Sequence, residues 1–499
     1  MADYAGVLAS SSGPLTATGR ISWLRPVTAL AGVSAALLAA YVANSPRLDR
    51  FGDSPTYEFV ADALPKGFIS SSRMPGYPIL IAVSSWLPGG REVGLIVTQA
   101  LLIVAAVVAT YFIARAALGR SWLAFAVAAI LAADLLMAGY VRVVMSETLA
   151  VALTQALIVA TLLYMADFRP LYLWLMAALT VALTLTRPEW VLLMAVLVPY
   201  LLVIARRRSL LSRRVLAHGV AAVLAVFVAL GAYCTANLAV NGYFGLSSFS
   251  NVALLGKLKV YGMVGEAPPP YAALIPQVDA YHSAWELVEV PPFNDRNTAL
   301  AGEFARAVIV RDPLRFAQDV MGSAISTAGE HDSKFLVIRG DGPFGRPLQL
   351  LLLVDQLRYR AFVIFPALAL AWLLAGLFVP AINRRAQILG VLGLFVLYSW
   401  LTTAAGTYGE FERLRMTVNP ITTVVVVGSL ATLVVFALNH RGSLILALGL
   451  VALDATAIGF LPRITSTELA EVAIVVLAAV NVAGFLRWSR QLPGDQAGV

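Results

Sequence analysis

Long apolar runs separated by short polar turns dominate the chain, and their lengths predict its elements. A helix needs about 20 apolar residues to span a bilayer. Runs of that kind lie near 22–44, 93–118, 121–140, 144–166, 170–186, 189–206, 215–239, 359–380, 384–404, 416–438, 442–462 and 467–487. The pattern predicts an all-α polytopic membrane bundle of about 11 to 13 transmembrane helices, the count turning on the two short runs around Pro188. Two segments break the rhythm, 45–92 and 240–357. In the first, Tyr57, Val60, Ala61, Leu64 and Phe68 recur at helical spacing, with Asp53, Glu58 and Asp62 off the stripe. That spacing predicts an amphipathic helix lying on the membrane surface. Pro75 starts a second one, since its fixed φ suits a first helical turn. The other segment is polar, contains Pro268, Pro269 and Pro270, and is too long for a simple connection. Within it, "RDPLRFAQDV" reads as an amphipathic helix.

Composition agrees. Of 499 residues, 60% are hydrophobic and 13% charged, with a mean hydropathy of +0.81; a soluble domain carries about 25% charged residues. The net charge of +8 is spread over short basic runs between apolar segments, such as Arg206, Arg207, Arg208, Arg213 and Arg214. It forms no basic stripe with interleaved aromatics, so nucleic acid is excluded as a partner. Positive charge marks cytoplasmic loops, and a cytoplasmic N-terminus puts nearly every dense basic run on one face. Both long loops, with all four lysines (Lys66, Lys257, Lys259, Lys334), then fall on the other. The division expected is a cytoplasmic tail 1–21, a transmembrane module 22–239 that includes the first outer loop 45–92, a large extracytoplasmic loop 240–357, a second module 358–487 and a cytoplasmic tail 488–499. The protein is expected to be a multi-pass plasma (inner) membrane protein, both termini cytoplasmic. Residues 1–20 lack the charged n-region and apolar core of a signal peptide. Cys234 stands alone and His218, His282, His331 and His440 show no zinc spacing, so no cofactor is expected and nothing supports a divalent metal.

Ionisable residues near membrane depth are costly and tend to be paired or functional. Here they collect at the outer helix ends: Asp53, Arg73, Arg142, Glu147, Arg187, Glu189, Arg413 and Arg415. Asp53 follows Gly52 and precedes the surface helix, where a carboxylate is either a proton acceptor or a helix cap; Asp62 is its rival, on a solvated face. Each arginine either meets an anion or snorkels to the headgroups. Ser146 and Glu147 suit a helix cap, or Glu147 orients Arg142. Tyr57, four residues after Asp53, packs in the core or lines the site. Asp134 and Asp454, inside spans, are expected to pair with arginine, and His331–Asp332 to be solvated. The aromatic residues of the large loop (Tyr243, Phe244, Phe249, Tyr261, Tyr271, Tyr281, Trp285, Phe293) suit either sugar stacking or the membrane interface.

Five segments occur in order: "FGDSPTYEFVADAL", "SRMPGYPIL", "VRVVMSETL", "LTRPEW" and "GEFERLRMTVNP". From about Asp53 to Pro420 the chain resembles the C-type integral-membrane glycosyltransferases, in the bacterial branch related to protein mannosyltransferases and lipid A aminoarabinose transferases. The resemblance implies an enzyme that takes a hexosyl or pentosyl group from a polyprenyl-phosphate donor on the outer face. It implies an acidic catalytic base in the first outer loop, which maps onto Asp53, and a late-loop arginine on the carrier phosphate, which maps onto Arg413 and Arg415. Arg73 and Arg187 are further candidates for the phosphate, with Tyr57, Arg142 and Glu147 supporting. One carboxylate suffices for inversion by single displacement, whereas a retaining hydrolase needs two. The partners expected are the lipid donor, membrane lipids, and a glycolipid, glycan or protein acceptor. A lipid-linked glycan polymerase or ligase would not need Asp53 before a surface helix. A transporter or flippase would show broken helices in paired positions of two halves and ionisable residues at the midplane; the pattern shows neither.

Overall fold

The computed structural model describes residues 24–328, 333–378, 384–406 and 411–439, with single positions at 476, 480 and 483. These residues form an all-α bundle with no strand among them, the nearest thing being one isolated parallel bridge between Asp49 and Val143. Among the described residues, eight helices are long and apolar enough to cross a membrane: Leu24–Asn44, Gly90–Leu118, Glu147–Asp167, Pro188–Arg207, Arg213–Asn241, Gly345–Phe378, Arg384–Gly406 and Arg413–Ala431. The chain is a multi-pass membrane protein. Pro170–Thr184 is a shorter apolar helix, and the spans expected at 442–462 and 467–487 lie outside the described residues. Each lipid-facing helix shows why it sits at the rim. Arg213–Asn241 buries only Gly219, Ala222, Val226, Leu230 and Asn237, one narrow stripe at a helical period.

One span is broken, where the apolar pattern showed no break. Ser121–Ala132 and Leu135–Arg142 meet at 43°. Asp134 leaves the helical conformation there (φ −72°, ψ 102°), and its side chain accepts a hydrogen bond from the Met137 N–H. An aspartate that caps the next segment competes with the helix it interrupts. A second departure is the helix Gly345–Phe378, 34 residues long, which begins well before 359. It is made of two α-helices, Gly345–Arg360 and Phe365–Phe378, joined by the 3-10 turn Ala361–Ile364, and has more residues than the roughly 20 that cross a hydrocarbon core. Gln349, Asp355, Gln356, Arg358 and Arg360 interrupt its first half, which is why an apolar window misses it.

Both long loops lie at one end of the bundle and clasp each other. Asn241 Nδ2 donates to the Ile69 carbonyl at 2.8 Å, the Ser248 N–H to the Ser71 carbonyl at 2.7 Å, and Ser247 Oγ to the Ser72 carbonyl at 2.6 Å. The large loop has its own core, including Val252, Leu255, Phe293, Phe304 and Val308. Phe293 is therefore a packing residue and takes no part in a surface. The sequence "RDPLRFAQDV" does form a helix, Pro313–Ser326, capped by Asp312, which accepts from the Arg315 N–H. The helix Gly76–Ser84 seats against the turn at 185–187, with the Gly76 N–H donating to the Leu185 carbonyl at 2.9 Å. A Cβ at Gly76 would collide with Thr186 and the Leu185 carbonyl, so only glycine allows this approach.

Candidate active site

Asp53 occupies the N-cap position of the helix Ser54–Ala63, yet its carboxylate makes no capping hydrogen bond. Instead it is gripped by two guanidiniums, Arg73 at 2.5 Å on Oδ1 and Arg413 at 3.2 Å on Oδ2. The capping role is therefore excluded by the geometry of the side chain.

Arg73 sits on a strap that Ser70 Oγ pins by accepting the N–H groups of Ser72 and Arg73. Its Nε donates to Thr56 Oγ1 at 2.9 Å. Its guanidinium carbon lies 4.5 Å from the Tyr57 ring and 4.4 Å from the Phe249 ring. Tyr57 is itself buried and packs edge-on against Tyr77 at 5.1 Å. Two aromatic faces around one cation hold its plane, and that plane faces Asp53.

Arg413 extends the cluster inward, its Nε 3.0 Å from Glu147 Oε1. Glu147 opens the helix Glu147–Asp167 and its side chain is 1% exposed; Arg187 lies 3.7 Å from the same oxygen. Arg187 Nε in turn is 2.7 Å from Glu189. The turn carrying Glu189 is held by Tyr398, whose hydroxyl donates to the Glu189 carbonyl at 2.8 Å and accepts the Leu192 N–H at 3.0 Å. The result is a chain of alternating charge, Arg73–Asp53–Arg413–Glu147–Arg187–Glu189. Three cations balance three anions, as buried charge requires. Asp53 is its most open member, with a side chain 30% exposed against 12% for Arg413 and 3% for Arg187. Burial pushes the Asp53 carboxyl up, but Arg73 and then Arg413 outweigh it and hold the group below the ordinary aspartate value. At neutral pH it is ionised.

Six of the expected residues meet in one place: Asp53, Tyr57, Arg73, Glu147, Arg187 and Arg413. Two do not. Arg142 is fully buried and turned away, paired with Asp49 at 2.8 Å and donating to Ser45 Oγ and to the carbonyls of Arg47 and Val337. Glu147 therefore orients Arg413 and Arg187 rather than Arg142, because the stretch 143–146 between them is not helical. Ser146 makes no capping bond either. Arg415 donates at 2.7 Å to the carbonyls of Thr327 and Ala328, past the end of the helix Pro313–Ser326. Positions two apart on a helix do not share a face, so when Arg413 meets Asp53, Arg415 must point elsewhere. Asp134 pairs with Arg358 at 2.7 Å, and the exposed Asp62 pairs with Arg91. Asp454, His331 and Asp332 lie outside the described residues. Among those described, no group of three or more His, Cys, Asp or Glu residues is placed to hold a metal ion.

The residues not anticipated individually are Thr56, Asp49 and Phe335, whose ring lies 5.9 Å from the Arg413 guanidinium. Nothing in a one-dimensional pattern pairs them with their partners. Phe249 belonged to the aromatic set of the large loop, but its place over Arg73 comes from the clasp between the loops.

Residues 72–233 match the model of the family described as dolichyl-phosphate-mannose-protein mannosyltransferase. No curated protein matches the chain. Among solved structures, the archaeal oligosaccharyltransferase AglB of Archaeoglobus fulgidus, in complex with an inhibitory peptide and a dolichol-phosphate, is similar at 12% identity and a TM-score of 0.47, over 96% of this chain. The chain spans 57% of the length of that protein. ArnT from Cupriavidus metallidurans, bound to undecaprenyl phosphate, is similar at 16% identity and a TM-score of 0.34, over 84% of this chain and 80% of its own. The family match agrees with the resemblance read from the motifs: over residues 72–233 this chain is similar to the family described as dolichyl-phosphate-mannose-protein mannosyltransferase.

Proposed function

We propose that the protein transfers a sugar from a polyprenyl monophosphate donor to an acceptor hydroxyl by single displacement, on the extracytoplasmic face, with Asp53 as the proton acceptor. One observation carries this reading. An ionised carboxylate, the most open member of a charge-balanced and otherwise buried chain, stands between two arginines. A hydroxyl is a poor nucleophile, and a positioned carboxylate takes its proton as it attacks. The leaving phosphate gains negative charge as the glycosidic bond breaks, and a fixed guanidinium lowers that barrier. Arg413 and Arg187, joined through Glu147, supply it. A phosphate that draws Arg413 toward itself also loosens its hold on Asp53 and raises the basicity of that carboxylate when the donor is in place. Arg73, spent on Asp53, Thr56 and two rings, keeps the base oriented. The acceptor side is the one bordered by Phe249 and the exposed Trp285, whose rings meet edge-on at 5.4 Å.

A nucleotide-sugar donor would need a cytoplasmic diphosphate pocket, commonly a Gly-rich turn at a helix N-terminus or a metal held by carboxylates. The loops at the end away from Asp53 are short and basic. Purified protein is expected to form product with a polyprenyl-phosphate sugar and none with a nucleotide sugar alone. Product from the soluble donor with no lipid carrier present would refute the mechanism. The face of the site is checked by labelling single cysteines in sealed cells. Positions 66 and 289 are expected to react from outside, and position 207 only after permeabilisation; the reverse pattern would place the site in the cytoplasm.

A further inference from the structure

Arg413 can meet Asp53 only if the corner that carries it is held in place. That corner is the short helix Phe411–Arg415, the 3-10 turn Met416–Val418 and the start of the helix Asn419–Asn439. Beside it lies a second group of polar side chains in apolar surroundings. The Tyr359 hydroxyl donates to Asp134 Oδ2 at 3.0 Å and accepts from Asn419 Nδ2 at 3.2 Å. The same Asn419 amide is 3.3 Å from Met416 Sδ. Asp134 Oδ1 accepts the Met137 N–H at 2.9 Å, and Asp355 Oδ2 accepts the Leu135 N–H at 2.6 Å. Arg358 lies 2.7 Å from Asp134 and 3.5 Å from Asp355. All but Arg358 are buried, and each polar group placed there loses water that its partners must replace.

Closing the break in the span 121–142 accounts for only part of this group. Asp134, Asp355 and Arg358, with the N–H groups of Leu135 and Met137, satisfy the kink by themselves. The arm through Tyr359 to Asn419 reaches beyond it, to the residue that follows the 3-10 turn next to the helix bearing Arg413. From the other side Arg415 anchors the same corner through the carbonyls of Thr327 and Ala328. The corner is thus clamped twice, and its one remaining arginine is directed at Asp53 and Glu147.

We propose that Tyr359 and Asn419 are positioning residues for Arg413. Their hydrogen-bond arm, anchored on Asp134 at the broken span, sets the corner so that the guanidinium bridges Asp53 and the donor phosphate. The inference rests on the reading of Arg413 as a phosphate partner, and its test separates the two. Tyr359→Phe removes only the hydroxyl and keeps the ring on Phe362, 5.0 Å away. In the full-length protein in nanodiscs, this change is expected to speed amide hydrogen exchange in the peptide 411–419. It is also expected to weaken affinity for undecaprenyl phosphate about three- to tenfold, the size of one hydrogen bond. In an Arg413→Gln background the same change should have no further effect on that affinity, since coupled residues do not add. Equal weakening in both backgrounds, or unchanged exchange at 411–419, would show that the arm serves the kink alone and overturn the proposal. If the wild-type protein does not bind undecaprenyl phosphate, the functional reading falls, while the exchange measurement still decides the positioning.

Discussion

Asp53→Asn is expected to lower sugar transfer by about 100-fold or more, the lower end of what a positioned general base contributes. Asparagine keeps the shape of the side chain and can still face Arg73, but it cannot take a proton from the acceptor hydroxyl. The loss should appear in kcat, with donor affinity kept or improved, because Arg413 is released from its carboxylate partner. Thermal unfolding measured alongside separates chemistry from folding, since removing one member of a buried ion pair also destabilises. Near wild-type turnover in a folded Asp53→Asn protein would remove Asp53 from the mechanism. The pH dependence sharpens the test. Asp53 is held below the ordinary aspartate value, so the acid limb of kcat/KM, which reports the free enzyme, is expected below about pH 4. The stability that the ionised carboxylate contributes follows the same sign. It is present above the unfolded value of about 3.9 and lost as pH falls through the lower folded value.

Arg413→Gln is expected to cost about 100- to 1,000-fold in turnover, the range for removing one fixed donor from a developing oxyanion. Three effects combine. The leaving phosphate loses a cation, Glu147 keeps only the more distant Arg187, and Asp53 loses one of the two guanidiniums that oppose its burial. The last effect has a signature of its own. With only Arg73 left to counter desolvation, the Asp53 carboxyl rises, and the acid limb of kcat/KM moves to higher pH. Arg413→Lys should fall between wild type and Gln, because an ammonium keeps the charge but not the two-pronged geometry. An unchanged acid limb together with unchanged turnover would mean that Arg413 only packs against its neighbours.

Asp53 entered as the proposed base through the resemblance of its segment to the membrane glycosyltransferases, while the residues alone left proton acceptor and helix cap both open. The structure removes one of the two: the Asp53 carboxylate makes no capping hydrogen bond. Arg142 shows the opposite outcome. Like Arg413 it is an arginine at an outer helix end, yet a 3-10 turn directs it into Asp49, Ser45 Oγ and the carbonyls of Arg47 and Val337.

The sequence by itself determined the all-α membrane bundle, the two long loops and the arginine-rich ends of the helices. These depend on partition between water and lipid, which each stretch of about 20 residues settles largely alone. The break at Asp134 and the early start of the helix at Gly345 escaped that reading, since both hinge on where individual polar side chains find partners. Only the tertiary structure decided which arginine meets which acid. Arg413 reaches Asp53 across 360 residues of chain, and Arg415, two positions on, is sent to the carbonyls of Thr327 and Ala328. Partition is set residue by residue along the chain. A charge pair depends on the directions of two side chains on separate elements, and those directions exist only once the helices have packed.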